Sequence, residues 1–211
     1  MIRPIRLLLA GLTALAAACT PPAPTFKGAD VTGADWGGDL TLEAHTGRRV
    51  STADFRGRVL VVFFGYINCP DICGPTLAKL ASLRGALGAD AERLQVVFVT
   101  VDPARDGPAE LAQFLSKFDA TFVGLTGSAE EITAAAREYR VVMSPAPAPH
   151  GHAAHGSHGA EAGRPLVPID HSGTMFVKDP AGKLRLLWRS DTAVADMVHD
   201  IRLLLAPAGA S

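Results

Sequence analysis

The sequence predicts a single α/β domain built on a largely buried central sheet. Three observations carry that prediction. Runs rich in Val, Leu and Phe alternate with helical patterns, and two strand-loop-helix units follow one another. A chain of 211 residues, 48% hydrophobic and 19% charged, suits one core of ordinary size and would be cramped as two.

Taken in order, residues 40–44 and 48–51 flank His45-Thr46-Gly47 as a small N-terminal hairpin. The clearest strand is 59–64, an unbroken apolar run of the kind that is covered on both faces. It passes through Gly65-Tyr66-Ile67-Asn68 into Cys69-Pro70-Asp71-Ile72-Cys73-Gly74-Pro75. A helix over 76–87 follows, and Gly88 stops it. The second unit has a strand over 94–101, the turn Asp102-Pro103, and an amphipathic helix over 108–118 that turns Leu111, Phe114, Leu115 and Phe118 inward. Ser128 with Glu131 three places later forms the capping box of a helix reaching about residue 139. Residues 174–177 and 184–188 flank Asp179-Pro180-Ala181-Gly182 as a hairpin, and 192–205 is a closing helix that Pro207 ends. Residues 144–165 break the pattern. Rich in Pro, Ala, Gly and His, with almost nothing large and apolar to bury, they are expected as a mobile surface loop.

Charge excludes one class of function. Twenty basic and 21 acidic residues leave a net charge of -1 with no long single-sign block, which speaks against a nucleic-acid partner. Three cysteines are too few for a disulfide-stapled miniprotein. At the N-terminus, Arg3 and Arg6 precede an apolar run over 7–18 that ends in Ala16-Ala17-Ala18 just before Cys19, the pattern of a secretory signal. As a helix that run rises only about 18 Å, too short to span a bilayer core. Small residues directly before a cysteine resemble a bacterial lipoprotein cleavage site. On that expectation Cys19 becomes the acylated first residue, 19–38 is a tether stiffened by Pro21, Pro22 and Pro24, and the domain over 39–205 works on the periplasmic side of a bacterial membrane, followed by a tail over 206–211. An ordinary secreted protein and an uncleaved anchor are the alternatives. In any of these settings exposed thiols are oxidised unless something reduces them.

Cys69 and Cys73 stand four apart at a strand-to-helix junction, where a helical turn would set their β-carbons about 5 to 6 Å apart on one face. That spacing permits a stabilising disulfide, and it equally lets two thiolates grip a soft metal such as Cu(I). A short loop gains little from bridging, which weakens the purely structural reading. The helix N-terminus favours thiolate in either use. A third ligand has to come from elsewhere. His171, in Pro168-Ile169-Asp170-His171-Ser172-Gly173-Thr174, precedes a strand at an end of the sheet, where sites form in open α/β folds. Spacing alone does not bring it to the cysteines, and a lone His at a strand edge is more often a surface or hydrogen-bonded residue.

Three segments resemble, in order and spacing, the Sco/SenC family of copper-binding assembly proteins for cytochrome c oxidase. They are Phe63-Phe64-Gly65-Tyr66-Ile67-Asn68-Cys69-Pro70-Asp71-Ile72-Cys73, Val101-Asp102-Pro103-Ala104-Arg105-Asp106, and Asp170-His171-Ser172. The resemblance covers about 39–205 and implies a thioredoxin-like fold, a central mixed sheet flanked by helices, in which Cys69, Cys73 and His171 hold one copper ion. Gly74 departs from the family, many of whose members have proline there. The implied function is a membrane-anchored copper metallochaperone whose partners are the copper-bearing subunit of the oxidase, other copper carriers and thioredoxin-like reductants. Asp102 and Pro103 read as a turn with a nearby helix cap, and Asp170 as an acceptor that orients the His171 ring. Tyr66 is expected to pack on the cysteine loop and Trp188 to lie in the core or on a partly exposed strand.

His150, His152, His155 and His158, spaced by two, three and three residues in an Ala/Gly setting, form either an auxiliary tract that collects Cu(II), Zn or Ni, or a solvated insertion. His45 and His199 read as ordinary surface residues. Two rival functions use the same cysteines. A thiol-disulfide reductase that keeps oxidase cysteines reduced, with Cys69 and Cys73 catalytic, would have three residues between its cysteines instead of the usual two and would not require His171. A peroxiredoxin-like peroxidase fits poorly with two cysteines in one loop.

Overall fold

The computed structural model describes residues 25–145, 166–168 and 173–206. Within them the strands are β1 (Ala29–Asp30), β2 (Thr41–Ala44), β3 (Arg49–Ser51), β4 (Val59–Gly65), β5 (Leu94–Thr100), β6 (Val123–Thr126), β7 (Met143–Pro145), β8 (Leu166–Pro168), β9 (Met175–Lys178) and β10 (Leu184–Trp188). The helices are α1 (Cys73–Leu87), α2 (Pro108–Leu115), α3 (Ala129–Glu138) and α4 (Val194–Leu205). One mixed sheet runs in the order β1-β10-β9-β4-β5-β6-β2-β3, and β7 pairs with β8 apart from it. β4, β5 and β6 are parallel, while β9 lies antiparallel on the other side of β4.

Every residue of β4 and β5 is buried, because both faces of the sheet are covered. Strand alternation divides the side chains. Val59, Val61 and Phe63 face the layer of α1, α2 and α4, whereas Leu60, Val62 and Phe64 face α3 and Tyr139. The buried stripe of α1 is Cys73, Thr76, Leu77, Leu80, Leu83 and Leu87, a helical spacing whose first member is the second cysteine.

Helix α1 begins at Cys73, three residues before the predicted start. Pro75 sits in the first turn, where a missing N–H costs nothing, and the Thr76 amide opens the ladder by donating to the Ile72 carbonyl at 3.0 Å. Helix α2 stops at Leu115, with 116–118 as a turn, and α4 starts at Val194. Both predicted hairpins form. β2 and β3 pair at the sheet edge, attached through β2 to β6, and β9 turns into β10 with Gly182 at φ +80°. Ser144 and Pro145, expected in the loop, belong instead to β7 and pair with Val167 and Leu166, since backbone pairing needs no large side chain. The rest of that loop expectation, over 146–165, lies outside the described residues.

Candidate metal centre

Strands β4 and β5 end side by side at Gly65 and Thr100, and the loops leaving them share one end of the sheet. From Gly65 the chain turns through 66–72, with the Cys69 amide donating to the Tyr66 carbonyl at 3.2 Å. Cys69 is half-buried in this loop and Cys73 is buried at the head of α1. Cys69 lies outside the helix, so a tight loop does what the spacing suggested of a helical turn. Both cysteines are free thiols, hydrogen-bonded to one another. Gly65 makes room for the Cys73 sulfur. A Cβ there would stand 2.8 Å from Cys73 Sγ and 2.7 Å from the Phe98 ring.

The two sulfurs are electrostatically unequal. The Cys73 thiol donates to the Cys69 sulfur, and against some cost of burial the N–H groups of Asp71, Cys73 and Ile72 reinforce it, so Cys69 is pulled down from 9.0 to about 5. The same bond, followed by burial, pushes the Cys73 thiol far above its ordinary range. Burial first, and then the charges of Cys69 and Cys73, raise the Tyr66 phenol. Because the Cys69 thiolate is the form the fold favours, its alkylation rate is expected to climb through pH of about 5 and level off near neutrality, instead of climbing through 9. Peptide mapping after iodoacetamide pulses measures this. Gly65→Ala displaces the Cys73 sulfur and is expected to move the midpoint upward while lowering stability by about 1–3 kcal/mol.

The dithiol borders a cavity of about 530 Å³ whose other walls include Phe64, Tyr66, Ile72, Tyr139, Gly173 and Phe176. Two soft sulfur donors on an apolar wall suit a soft cation. No group of three or more His, Cys, Asp or Glu side chains gathers as a metal site among the described residues. His171 and Asp170 lie outside those residues, as do His150, His152, His155, His158 and Cys19. Gly173 is described. At φ +61° it packs so closely that a Cβ would stand 2.9 Å from Ser190 Cβ and 3.4 Å from Thr76 Oγ1, in the first turn of α1. Lys79, also on α1, donates to the carbonyls of Ser190 and Thr192 and holds that loop.

Tyr66 packs on the cysteine loop and Trp188 is core. Asp102 does form the turn, with its carbonyl accepting from the Arg105 and Asp106 amides, but it caps no helix: Gly107 precedes α2. Its Oδ2 pairs with Arg105 at 3.0 Å, and its buried Oδ1 has no hydrogen-bond partner among the described residues. His45 is half-buried and accepts the Gly124 amide at 2.9 Å, so it is a structural link between the β2 hairpin and β6. His199 is exposed. Sequence reasoning assigns Asp106 no role of its own, yet it is buried beside the Cys69 loop. Its only sequence signal is membership of the Val101–Asp106 segment, and its partner in the cysteine loop, the Ile67 amide, is 39 residues away.

Known proteins agree with this architecture. The chain is 33% identical over 171 residues to the mouse Protein SCO2 homolog, mitochondrial, a match that takes in 80% of this chain and 62% of the mouse protein. The chain thus spans a little under two thirds of that curated relative. The solved structure of Bradyrhizobium japonicum ScoI with copper bound superposes with a TM-score of 0.65 at 27% identity, covering 79% of this chain and 98% of that one. BsSco, a member of the Sco family of cytochrome c oxidase assembly proteins, shares the fold with a TM-score of 0.61 at 21% identity, over 82% of this chain and 95% of its own. The family model described as SCO1/SenC matches residues 29–206, and the chain belongs to that family.

Proposed function

We propose that this protein is a copper metallochaperone, anchored through Cys19 on the periplasmic side of a bacterial membrane, which delivers copper to the copper-bearing subunit of cytochrome c oxidase. Copper is its cargo, held by Cys69, Cys73 and His171. The observation that carries the reading is the pair of free thiols, one of them readily ionised, on the wall of an apolar cavity that Gly173 also lines. Two residues of chain span at most about 7 Å. Gly173, two residues on from His171 in sequence, packs close to Thr76 in the first turn of α1, and this supports a site shared by the two segments. The copper-bound state of the Bradyrhizobium relative supports the choice of ion.

Cys69 and Cys73 donate two sulfurs to Cu(I), and an added imidazole lets the same set hold Cu(II). A disulfide between them offers no thiolate. Loading then requires a partner dithiol to give up two electrons, becoming a disulfide itself as Cys69 and Cys73 return to thiols. Release follows by ligand exchange with the cysteines of the recipient.

A specific observation also favours the reductase as a second reading: a half-exposed Cys69 of low pKa beside a buried, protonated Cys73 is the asymmetry that dithiol exchange uses. His171→Ala separates the two. Structural sites worth about 10–16 kcal/mol over four ligands imply roughly 3 kcal/mol per ligand, so copper affinity is expected to fall on the order of a hundredfold while disulfide exchange with a small dithiol is unchanged. Unaltered copper affinity in His171→Ala, with exchange intact, makes the reductase the better account.

A further inference from the structure

Beneath the Cys69 loop lies a buried carboxylate that the proposed copper chemistry does not use directly. Asp106 is 1% exposed, and its Oδ2 accepts two hydrogen bonds, from Thr100 Oγ1 at 2.6 Å and from the Ile67 amide at 3.0 Å. Thr100 is the last residue of β5, and its hydroxyl oxygen in turn accepts the Asp102 amide at 3.0 Å. The Asp106 amide donates to the Asp102 carbonyl at 2.9 Å, which closes the turn around the carboxylate. One oxygen atom therefore joins the end of β5 to the loop that leaves the end of β4. Ile67 is two residues before Cys69, and the intervening turn is closed by the Cys69 amide on the Tyr66 carbonyl. The Val101 amide, donating to the Gly65 carbonyl at 2.8 Å, fixes the same two loop starts from the backbone side.

We infer that Asp106 is a positioning residue for the metal centre: through the Ile67 amide its carboxylate oxygen holds the Cys69 loop against the end of β5 and so sets where the Cys69 sulfur stands relative to Cys73. This rests on the copper reading and extends it to a residue outside the ligand set. The contrast between the two cysteines explains the need. Cys73 is held by its place in the buried stripe of α1, whereas Cys69 has no secondary structure of its own and depends on the loop's tethers. The role calls for an acceptor oxygen, not for a charge, so asparagine can fill it.

The test uses the reduced protein with wild type, Asp106→Ala, Asp106→Asn and Thr52→Val, the last removing a buried hydroxyl that bonds Leu40 and Asp39, on other elements than the cysteine loop. Two quantities are read: Cu(I) affinity by competition with a chelator, and amide hydrogen exchange at Ile67 in the metal-free protein. The Ile67 amide is expected to exchange about a hundredfold slower than a free chain in wild type and to lose most of that protection in Asp106→Ala. Copper affinity is expected to fall about tenfold or more in Asp106→Ala, to be largely restored in Asp106→Asn, and to be unchanged in Thr52→Val. Should Asp106→Ala not fold, Thr100→Val decides, with partial loss of Ile67 protection expected. An unprotected Ile67 amide in wild type, wild-type affinity in Asp106→Ala, or an equal loss in Thr52→Val overturns the inference. Wild type that binds no copper sinks the proposed function instead, and the Ile67 exchange rates still decide the role of Asp106.

Discussion

Reduced protein carrying Cys69→Ala and Cys73→Ala together is expected to lose stoichiometric Cu(I) binding, with affinity falling on the order of ten-thousandfold. The size follows from the loss of two of three proposed ligands, both of them the soft donors that Cu(I) prefers. Neither substitution endangers the fold by itself. Cys69 is half-buried in a loop, and Cys73, although buried, is the first residue of α1 and leaves a sulfur-sized gap on the cavity wall. The single variants are expected to differ. Cys73→Ala removes the donor that holds Cys69 at a low pKa, so it weakens the surviving sulfur as well. Titration with Cu(I) against a competing chelator reads all three, and binding that survives in the double variant refutes the assignment.

The largest loss of stability is expected at Asp200, which touches no part of the candidate metal centre. This residue of α4 is fully buried, with Oδ1 accepting the Lys27 amide at 2.7 Å and Oδ2 accepting the Gly28 amide at 2.9 Å and Trp188 Nε1 at 2.9 Å. It thereby fastens the segment before β1 to β10 and α4. Gly28 permits the approach, since a Cβ there would stand 2.5 Å from the Trp188 ring. Asp200→Ala strands three donors, one of them the indole N–H of a fully buried side chain, and is expected to cost about 3–5 kcal/mol. In a domain of this size that lowers Tm by roughly 10 °C. Asp200→Asn retains one acceptor oxygen and should fall between. Urea unfolding checks both, and a loss below about 1 kcal/mol for the alanine variant would show that the N-terminal segment is not held this way.

What could be read from the sequence, and what could not, follows from the range of the interactions involved. The strands β4 and β5 are continuous apolar runs, and the capping box at α3 is local chemistry: Ser128 Oγ accepts the Glu131 amide at 3.2 Å and Glu131 Oε2 accepts the Ser128 amide at 2.8 Å. Both were legible because each is written within a few residues. The start of α1 falls three residues before the expected one because proline, which has no N–H to lose there, is tolerated within the first turn. Strand β6 has four residues including Gly124, and only its neighbours β5 and β2 make it a strand. The cysteine pair was legible from motif and resemblance. The inequality of the two sulfurs was not, since it comes first from the hydrogen bond that Cys73 gives Cys69 in the folded loop, then from the burial of Cys73 and the direction of three backbone N–H groups.

The buried polar groups were least visible. Lys178 ends β9 among apolar neighbours, where an exposed lysine would be the ordinary expectation. Burial lowers its pKa, and it is kept in place by the Gly38 carbonyl at 2.9 Å and Asp39 at 3.1 Å, about 140 residues away in sequence. Asp106 and Asp200 are hidden for the same reason. Their partners lie on other elements, and no local pattern marks a carboxylate that accepts backbone amides across the fold.

X-ray absorption at the copper edge, on protein loaded with one equivalent of Cu(II), tests the convergence of Cys69, Cys73 and His171 most directly. Two sulfur scatterers with at least one imidazole are expected, and in His171→Ala the imidazole signature should be lost while both sulfurs remain. A first shell without sulfur, or an imidazole signal that persists undiminished in His171→Ala, would contradict the account.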